Sequence, residues 1–320
     1  MISQHHHISM FSHNLKDTDY FYTHILGMRR VKISVNQNLP TMYHVFYGDR
    51  LGSSGNDLTF FDYSKAEAKR PGTNAHTSVG LLVANKDALD YWSQRLDAYN
   101  VLNEKEDYFG EETLKVIDPS GVILRLFINA DGYLYQDWEP WDQNDINPAF
   151  LIQGMGPVEI TVRDKEALIQ TLTSLFDYKV VTNTDIFARL RPKMDSIFGE
   201  INIIEKAGRI EKAGYGTIHH LAIYLEADSL AKIEIDLKAA GFKPSVYDRY
   251  YFSSLYFRDH NGVMFEVVAK NEAGFLTDTE EALLGKQLDL PPFLEGKRQE
   301  IEDALAPIQS WVSDDVTASD

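Results

Sequence analysis

Apolar and polar positions along the chain change period in a fixed order, and that order recurs four times. Each unit opens on a strand, continues through a helix of period 3.6, and ends in strands whose last apolar run is led by glycine. The first unit opens at HHHISMF (5–11). A helix follows over LKDTDYFYTHILG, with Phe21 and Ile25 four apart on one face and Gly27 as its C-terminal stop. Strands are predicted at 31–36, 42–49 and 56–63. The second unit opens at HTSVGLLV (76–83), carries a helix near KDALDYWSQRL and closes at DPSGVILRLF (118–127). The third opens at MGPVEITV (155–162), with Asp164 placed to cap its helix, and closes near FGEINII (198–204). The fourth opens at TIHHLAIYL (217–225), has a helix ending near Gly241 and closes at NGVMFEVV (261–268).

Four such units predict an α+β fold: βαβββ modules forming two cupped, half-open antiparallel barrels. The polar and aromatic stretch DGYLYQDWEPWDQND reads as a linker. The expected division is an N-terminal domain of two modules over 1–130, a linker over 131–150, a C-terminal domain over 151–270, and an extension over 271–320. That extension carries a helical stretch near TEEALLG and a turn at LPPFLE.

Composition narrows the function. The 320 residues are 44% hydrophobic and 25% charged, ordinary for a globular protein. No apolar run is long enough to span a membrane, and the N-terminus shows no basic region leading into an apolar one. Cysteine is absent, which removes disulfides, thiolate ligands and cysteine nucleophiles and fits a cytoplasmic protein. A net charge of −17 repels phosphate backbones, so nucleic acid is not an expected partner.

Histidine carries the chemistry. The strands that open units one and four hold adjacent pairs, His6-His7 and His219-His220. Neighbours on a strand point to opposite faces, so one member of each pair can face a cavity. Glu266 is the fourth residue after Gly262 in the closing strand of unit four. Two imidazoles and a carboxylate form the facial set that suits non-haem iron(II), with positions left open for substrate and oxygen. A single His-His pair in a strand is more often packing, and His5-His6-His7 could be the remnant of an affinity tag. Two pairs at the same place in two copies of one unit weigh against both. At the matching position the other units offer Arg125, Ile203 and Thr59, so only unit four supplies a carboxylate there. One site is therefore expected, shared between units one and four, with Glu159 unassigned.

At these residues the chain resembles the ring-cleaving dioxygenases of the vicinal oxygen chelate (glyoxalase/bleomycin resistance/dioxygenase) superfamily, in its hydroquinone dioxygenase branch. The matching stretches are HHIS, FYTHILGMRRVKISVN, YHVFYGD, LTFF, HHLAIYL, DRYYFSSLYFRDHNGVMFEV and LPPFLE, in order along the chain. The resemblance implies that the second histidine of each pair and the glutamate, His7, His220 and Glu266, bind iron(II), with manganese(II) as the alternative ion. It places His6, His219, Arg249 and Tyr256 around the metal as candidate catalytic groups. It also puts Arg249, Tyr256 and Ser9 against substrate, Ser9 standing where the family has threonine. His44 matches the family without an assigned role.

The expected activity is iron(II)-dependent, extradiol-type cleavage of a 1,4-dihydroxybenzene by O2, with a small aromatic and oxygen as the only partners and the oligomeric state left open. Fold alone leaves two other readings. One is a non-redox metal enzyme of the glyoxalase kind; the other is a protein that sequesters a small aromatic without chemistry.

Overall fold

The computed structural model describes residues 4–132, 134, 138–193, 196–225, 229–248, 250, 252–270 and 279–312. Unit one comprises β1 (Gln4–Ser12), α1 (Leu15–Tyr20), β2 (Arg29–Asn36), β3 (Leu39–Gly48) and β4 (Asp57–Asp62). Unit two comprises β5 (Ala75–Val83), α2 (Lys86–Ala98), β6 (Asn103–Tyr108), β7 (Glu111–Ile117) and β8 (Ile123–Ile128). Unit three comprises β9 (Met155–Val162), α3 (Lys165–Leu175), β10 (Tyr178–Asn183), β11 (Phe187–Pro192) and β12 (Ile201–Glu205). Unit four comprises β13 (Ile218–Leu225), α4 (Leu230–Ala239), β14 (Ser245–Asp248), β15 (Phe252–Arg258) and β16 (Met264–Lys270).

The helices start where side chains cap them. Asn14, Asn85 and Asp164 accept backbone N–H bonds from the first turns of α1, α2 and α3. After Tyr20 the first helix widens into a π-helical turn over Phe21–Ile25, which buries both Phe21 and Ile25. Gly27, at φ +67°, then turns the chain into β2.

All sixteen strands belong to one open sheet that runs β10-β11-β12-β9-β5-β13-β1-β4-β3-β2. The hairpins β8-β7-β6 and β16-β15-β14 branch from β5 and β13. Pairing is mixed rather than wholly antiparallel: in each unit the opening strand runs parallel to the closing strand. This pairing also crosses the linker. Unit one joins unit four through β1 and β13, unit two joins unit three through β5 and β9, and only Ile218 and His76 bridge β13 to β5. Bridges between 68–73 and 210–215 tie the connecting arms of the two cups together.

Alternation within the strands separates core from cavity. On β1, Ile8 and Met10 are fully buried in the core, while His7, Ser9 and Phe11 border a cavity. The stretch read as a turn at LPPFLE is a short helix, α5 (Pro292–Glu295), started by its own proline, and α6 (Arg298–Ala304) follows it. This extension braces unit one. Asp289 donates its N–H to the Ile33 carbonyl at 2.8 Å and pairs with Lys32, and Tyr43 donates to the Ala306 carbonyl at 2.6 Å.

Candidate metal centre and its cavity

Three buried side chains from β1, β13 and β16 converge beside a cavity of about 850 Å³. Nε2 of His7 lies 3.3 Å from Nε2 of His220. Oε2 of Glu266 lies 3.1 Å from the first and 2.8 Å from the second. Bonds of about 2.1 Å from a metal to such donors, at right angles, set neighbouring donors about 3 Å apart. Two imidazoles and a carboxylate at these spacings therefore fit a single divalent ion with open positions toward the cavity. Burial alone would raise the Glu266 carboxyl, but the two imidazoles and their hydrogen bonds outweigh it and hold it well below the usual carboxylate range. A buried carboxylate kept ionised is matched to a cation.

Strict alternation does not describe the two histidine pairs. The ladder between β1 and β13 carries two bulges. One skips His6 between His5 and His7, and the other skips His219 between the partners of Ser9 and Met10. A bulge re-aims the side chain it carries. Here each skipped histidine folds back on its neighbour: His6 Nδ1 lies 2.9 Å from His7 Nδ1, and His219 Nδ1 lies 2.7 Å from His220 Nδ1. With Nδ1 engaged, both inner rings present Nε2 to the centre. A partner on the second nitrogen is the common way of fixing a metal-binding imidazole.

The two outer histidines are not equivalent. His219 borders the cavity, and burial, with His220 and Arg258 next, pushes it down to about 3, so it is neutral at physiological pH. His6 is buried and stacks on Tyr224 at 6.4 Å between centroids.

Tyr256 stands directly opposite Glu266 in the β15–β16 ladder, edge-on to His220 at 5.4 Å, and borders the cavity. Ser9 also borders it and shares a 2.8 Å hydrogen bond with Thr59. Arg249 lies outside the described residues. Sequence reasoning missed Ser254, which is fully buried and donates its hydroxyl to Oε1 of Glu266. Counting along the β15–β16 hairpin could have found it, since Ser254 and Tyr256 share a face with Glu266.

The other cup shows how the same scaffold reads without a metal set. Gly80 pairs with Arg125 as Ala222 pairs with Glu266, so Arg125 does stand at the carboxylate position. Thr77 and Ser78 take the places of His219 and His220, with Thr77 skipped by a bulge as His219 is. Arg125 reaches Glu159 at 3.0 Å and donates to Ser78 at 2.6 Å, and Tyr108 donates to Glu159 at 2.8 Å. Glu159 is thus spent on an ion pair. In unit three the counterpart of Thr59 is Asn202 rather than Ile203: Asn202 faces Glu159 as Thr59 faces Ser9, because the loop after Gly199 is one residue shorter. Among the described residues one group of three metal-binding side chains occurs, His7, His220 and Glu266.

With fold and site in hand, the relatives are informative. Residues 4–126 match the glyoxalase/bleomycin resistance protein/dioxygenase superfamily. MhqA of Bacillus subtilis (strain 168), named provisionally as a ring-cleaving dioxygenase, is 34% identical over 313 residues, covering 95% of this chain and 98% of the relative. A chlorohydroquinone/hydroquinone 1,2-dioxygenase of Sphingobium indicum is 24% identical over 309 residues, covering 92% and 94%. Among solved structures, a Bacillus subtilis protein provisionally named a dioxygenase superposes with a TM-score of 0.87 at 27% identity, covering 95% and 96% of the two chains. Glyoxalase I from Zea mays shares the fold at a TM-score of 0.61 and 14% identity, covering 83% and 92%. The chain belongs to the glyoxalase/bleomycin resistance protein/dioxygenase superfamily. Its full-length relatives put it among the ring-cleaving dioxygenases of that superfamily. Among the described residues no helix is long and apolar enough to cross a membrane.

Proposed function

We propose that the chain is an iron(II)-dependent, extradiol-type dioxygenase that opens the ring of hydroquinones with O2. The observation that carries this reading is the convergence of His7, His220 and Glu266 on the wall of an aromatic-lined cavity. The hydroquinone dioxygenase of Sphingobium indicum, matched over nearly its whole length, supports the substrate class. His7, His220 and Glu266 would hold the ion; manganese(II) suits the same donors. Iron(II) bound there supplies open coordination positions and the one-electron chemistry that lets oxygen react with a phenol.

The protein's own groups bind, orient and move protons. Phe11, Phe46, Phe61 and Phe242 line the cavity and keep water from the ring. His219, neutral and on the cavity wall, accepts at Nδ1 the proton that His220 carries on its own Nδ1, which leaves its Nε2–H as a donor that can hold a phenolic oxygen. His6 acts one step removed, by orienting His7. The Tyr256 hydroxyl stabilises an anionic oxygen beside the carboxylate, and Arg249 is assigned the same task on its motif alone. Ser9 contacts substrate from the opposite side of the centre.

An oxygen electrode tests the reading. Anaerobic protein is loaded with ferrous iron, and methylhydroquinone is added with air-saturated buffer. Stoichiometric oxygen uptake with a ring-opened product supports it. No uptake points to the non-redox or sequestering alternatives. Uptake with catechol that equals or exceeds uptake with methylhydroquinone removes the hydroquinone assignment and leaves a generic ring-cleaving enzyme.

A further inference from the structure

Charge at the cavity mouth is unlike that of the rest of the molecule. The chain carries 48 acidic against 31 basic residues, and its arginines commonly meet carboxylates, as Arg95, Arg125, Arg189 and Arg298 do. Arg258 and Lys243 differ. Both are exposed, both border the cavity, and among the described residues neither has a carboxylate partner. The other carboxylates and the other amine on the wall are engaged. Lys32 pairs with Asp289, Asp259 accepts bonds from Val263 and Asn261 in its own turn, and Glu266 belongs to the candidate centre.

The two cations stand above that centre on one face. From floor to mouth, the cavity face of β15 carries Ser254, buried against Glu266, then Tyr256, half-buried opposite the same carboxylate, then Arg258, exposed opposite Met264. One step of this ladder is about 7 Å, comparable to a benzene ring with one substituent. Lys243 precedes Ser245, the ladder partner of Tyr256, by two residues, which brings it beside Arg258. Phe242 fixes the spot by packing on Phe257 at 5.6 Å and on His260 at 4.6 Å. Arg258 donates from Nη1 to the Gly262 carbonyl at 2.7 Å, which ties the guanidinium to the β15–β16 turn and leaves its other N–H groups to a ligand.

Charge balance indicates what these groups meet. The two charges of a divalent ion at the centre are matched by Glu266 and one phenolate oxygen. A further negative charge on the ring finds no partner there. An anion also approaches against the field of an acidic protein, and a cleft mouth lined by cations focuses it. A guanidinium beside an ammonium suits a carboxylate in geometry and in charge.

We propose that Arg258, assisted by Lys243, binds an acidic substituent on the substrate ring, so that the site takes a carboxylate-bearing dihydroxybenzene. The proposal rests on the ring-cleaving reading of the centre, but its test is separable. The probes are 2,5-dihydroxyphenylacetate and its neutral amide, equal in size, offered anaerobically to the manganese-loaded chain in equilibrium dialysis. The wild type is expected to bind the acid about fivefold more tightly than the amide at low salt, the value of one well-made exposed ion pair. Arg258→Gln, at equal manganese content, should bring the ratio close to one, and Lys243→Gln should lower it in part. The wild-type ratio should also shrink as sodium chloride is raised from about 20 mM to about 500 mM, because exposed charges are screened. Should Arg258→Gln fail to fold, Lys243→Gln and the salt series decide. Equal binding of acid and amide by the wild type, a ratio unaltered in the variants, or one indifferent to salt overturns the proposal. Oxygen uptake with methylhydroquinone by an iron-loaded wild type that lacks the preference overturns the proposal alone. A preference for the acid without any oxygen uptake overturns the parent activity and leaves the Arg258 assignment standing.

Discussion

Ser254 donates its hydroxyl to Oε1 of Glu266 and leaves Oε2 of that carboxylate facing His7 and His220. The serine is fully buried on the strand that pairs with that of Glu266. It fixes which oxygen, and which direction, the carboxylate offers. Groups that orient a ligand in this way are typically worth about 10–100-fold in metal affinity. Ser254→Ala should weaken manganese binding by that factor, followed by electron paramagnetic resonance titration, with circular dichroism unchanged. Equal affinity in the two proteins would show that the carboxylate needs no such guide.

Glu266→Gln should strip most of the metal from a chain that stays folded. The carboxylate is the one negative charge among the three donors, and an amide oxygen of the same shape is a poorer ligand. Elemental analysis after gentle dialysis reads the result directly. Metal content equal to wild type would remove Glu266 from the centre.

Metal should bind at one equivalent per chain. Arg125 occupies in the second cup the place that Glu266 occupies in the first, with Thr77-Ser78 in place of the histidine pair. A second tightly held equivalent, insensitive to replacement of His7 and His220, would contradict the comparison of the two cups.

Asp118 should make stability depend on pH. Its Oδ1 accepts N–H bonds from Ser120 and Val122, each at 2.8 Å, and its Oδ2 accepts the Tyr22 hydroxyl at 3.2 Å. Burial nevertheless dominates and pushes the carboxyl up to about 6. A carboxyl with a folded pKa above its unfolded value binds protons more strongly in the native state. Its contribution is therefore complete at acid pH and is lost as pH rises from about 4 through about 6, by on the order of 3 kcal/mol at most. Asn at this position keeps the Oδ1 acceptor and cannot titrate. The melting temperature of Asp118→Asn, relative to wild type, should climb between pH 4.5 and pH 7.5. A constant difference would mean that Asp118 keeps its ordinary pKa in the fold.

Much of this molecule is legible in its sequence because the information is periodic or local. The opening strands, the caps at Asp164 and the stop at Gly27 follow from spacing and from the backbone conformations that particular residues tolerate. The pairing of unit one with unit four was recoverable by asking which copies carried donors. The bulges at His6 and His219 were not, because they are properties of a ladder between segments far apart in the chain. Alternation assigned one histidine of each pair away from its neighbour; the bulges bring both rings together. Ser254 escaped for a related reason. A buried serine or threonine has no sequence signature, and its meaning comes from the carboxylate or imidazole that tertiary structure sets against it.

The pairing of β1 with β13, and of β13 in turn with β16, also bears on how the protein is made. Its candidate centre joins the seventh residue to the two hundred and sixty-sixth, so the loop that must close is nearly the whole chain. Loop-closure entropy rises only slowly with length, so the finished fold is little penalised. The rate is another matter, since contacts so distant in sequence slow folding. During synthesis, β1 can pair with β4 inside unit one, but its other edge, which carries the His6 bulge, stays open until unit four arrives. A chain stopped before β13 has one of the three side chains, one stopped between β13 and β16 has two, and neither has the carboxylate charge. Arrival of unit four is thus the event that assembles the candidate centre.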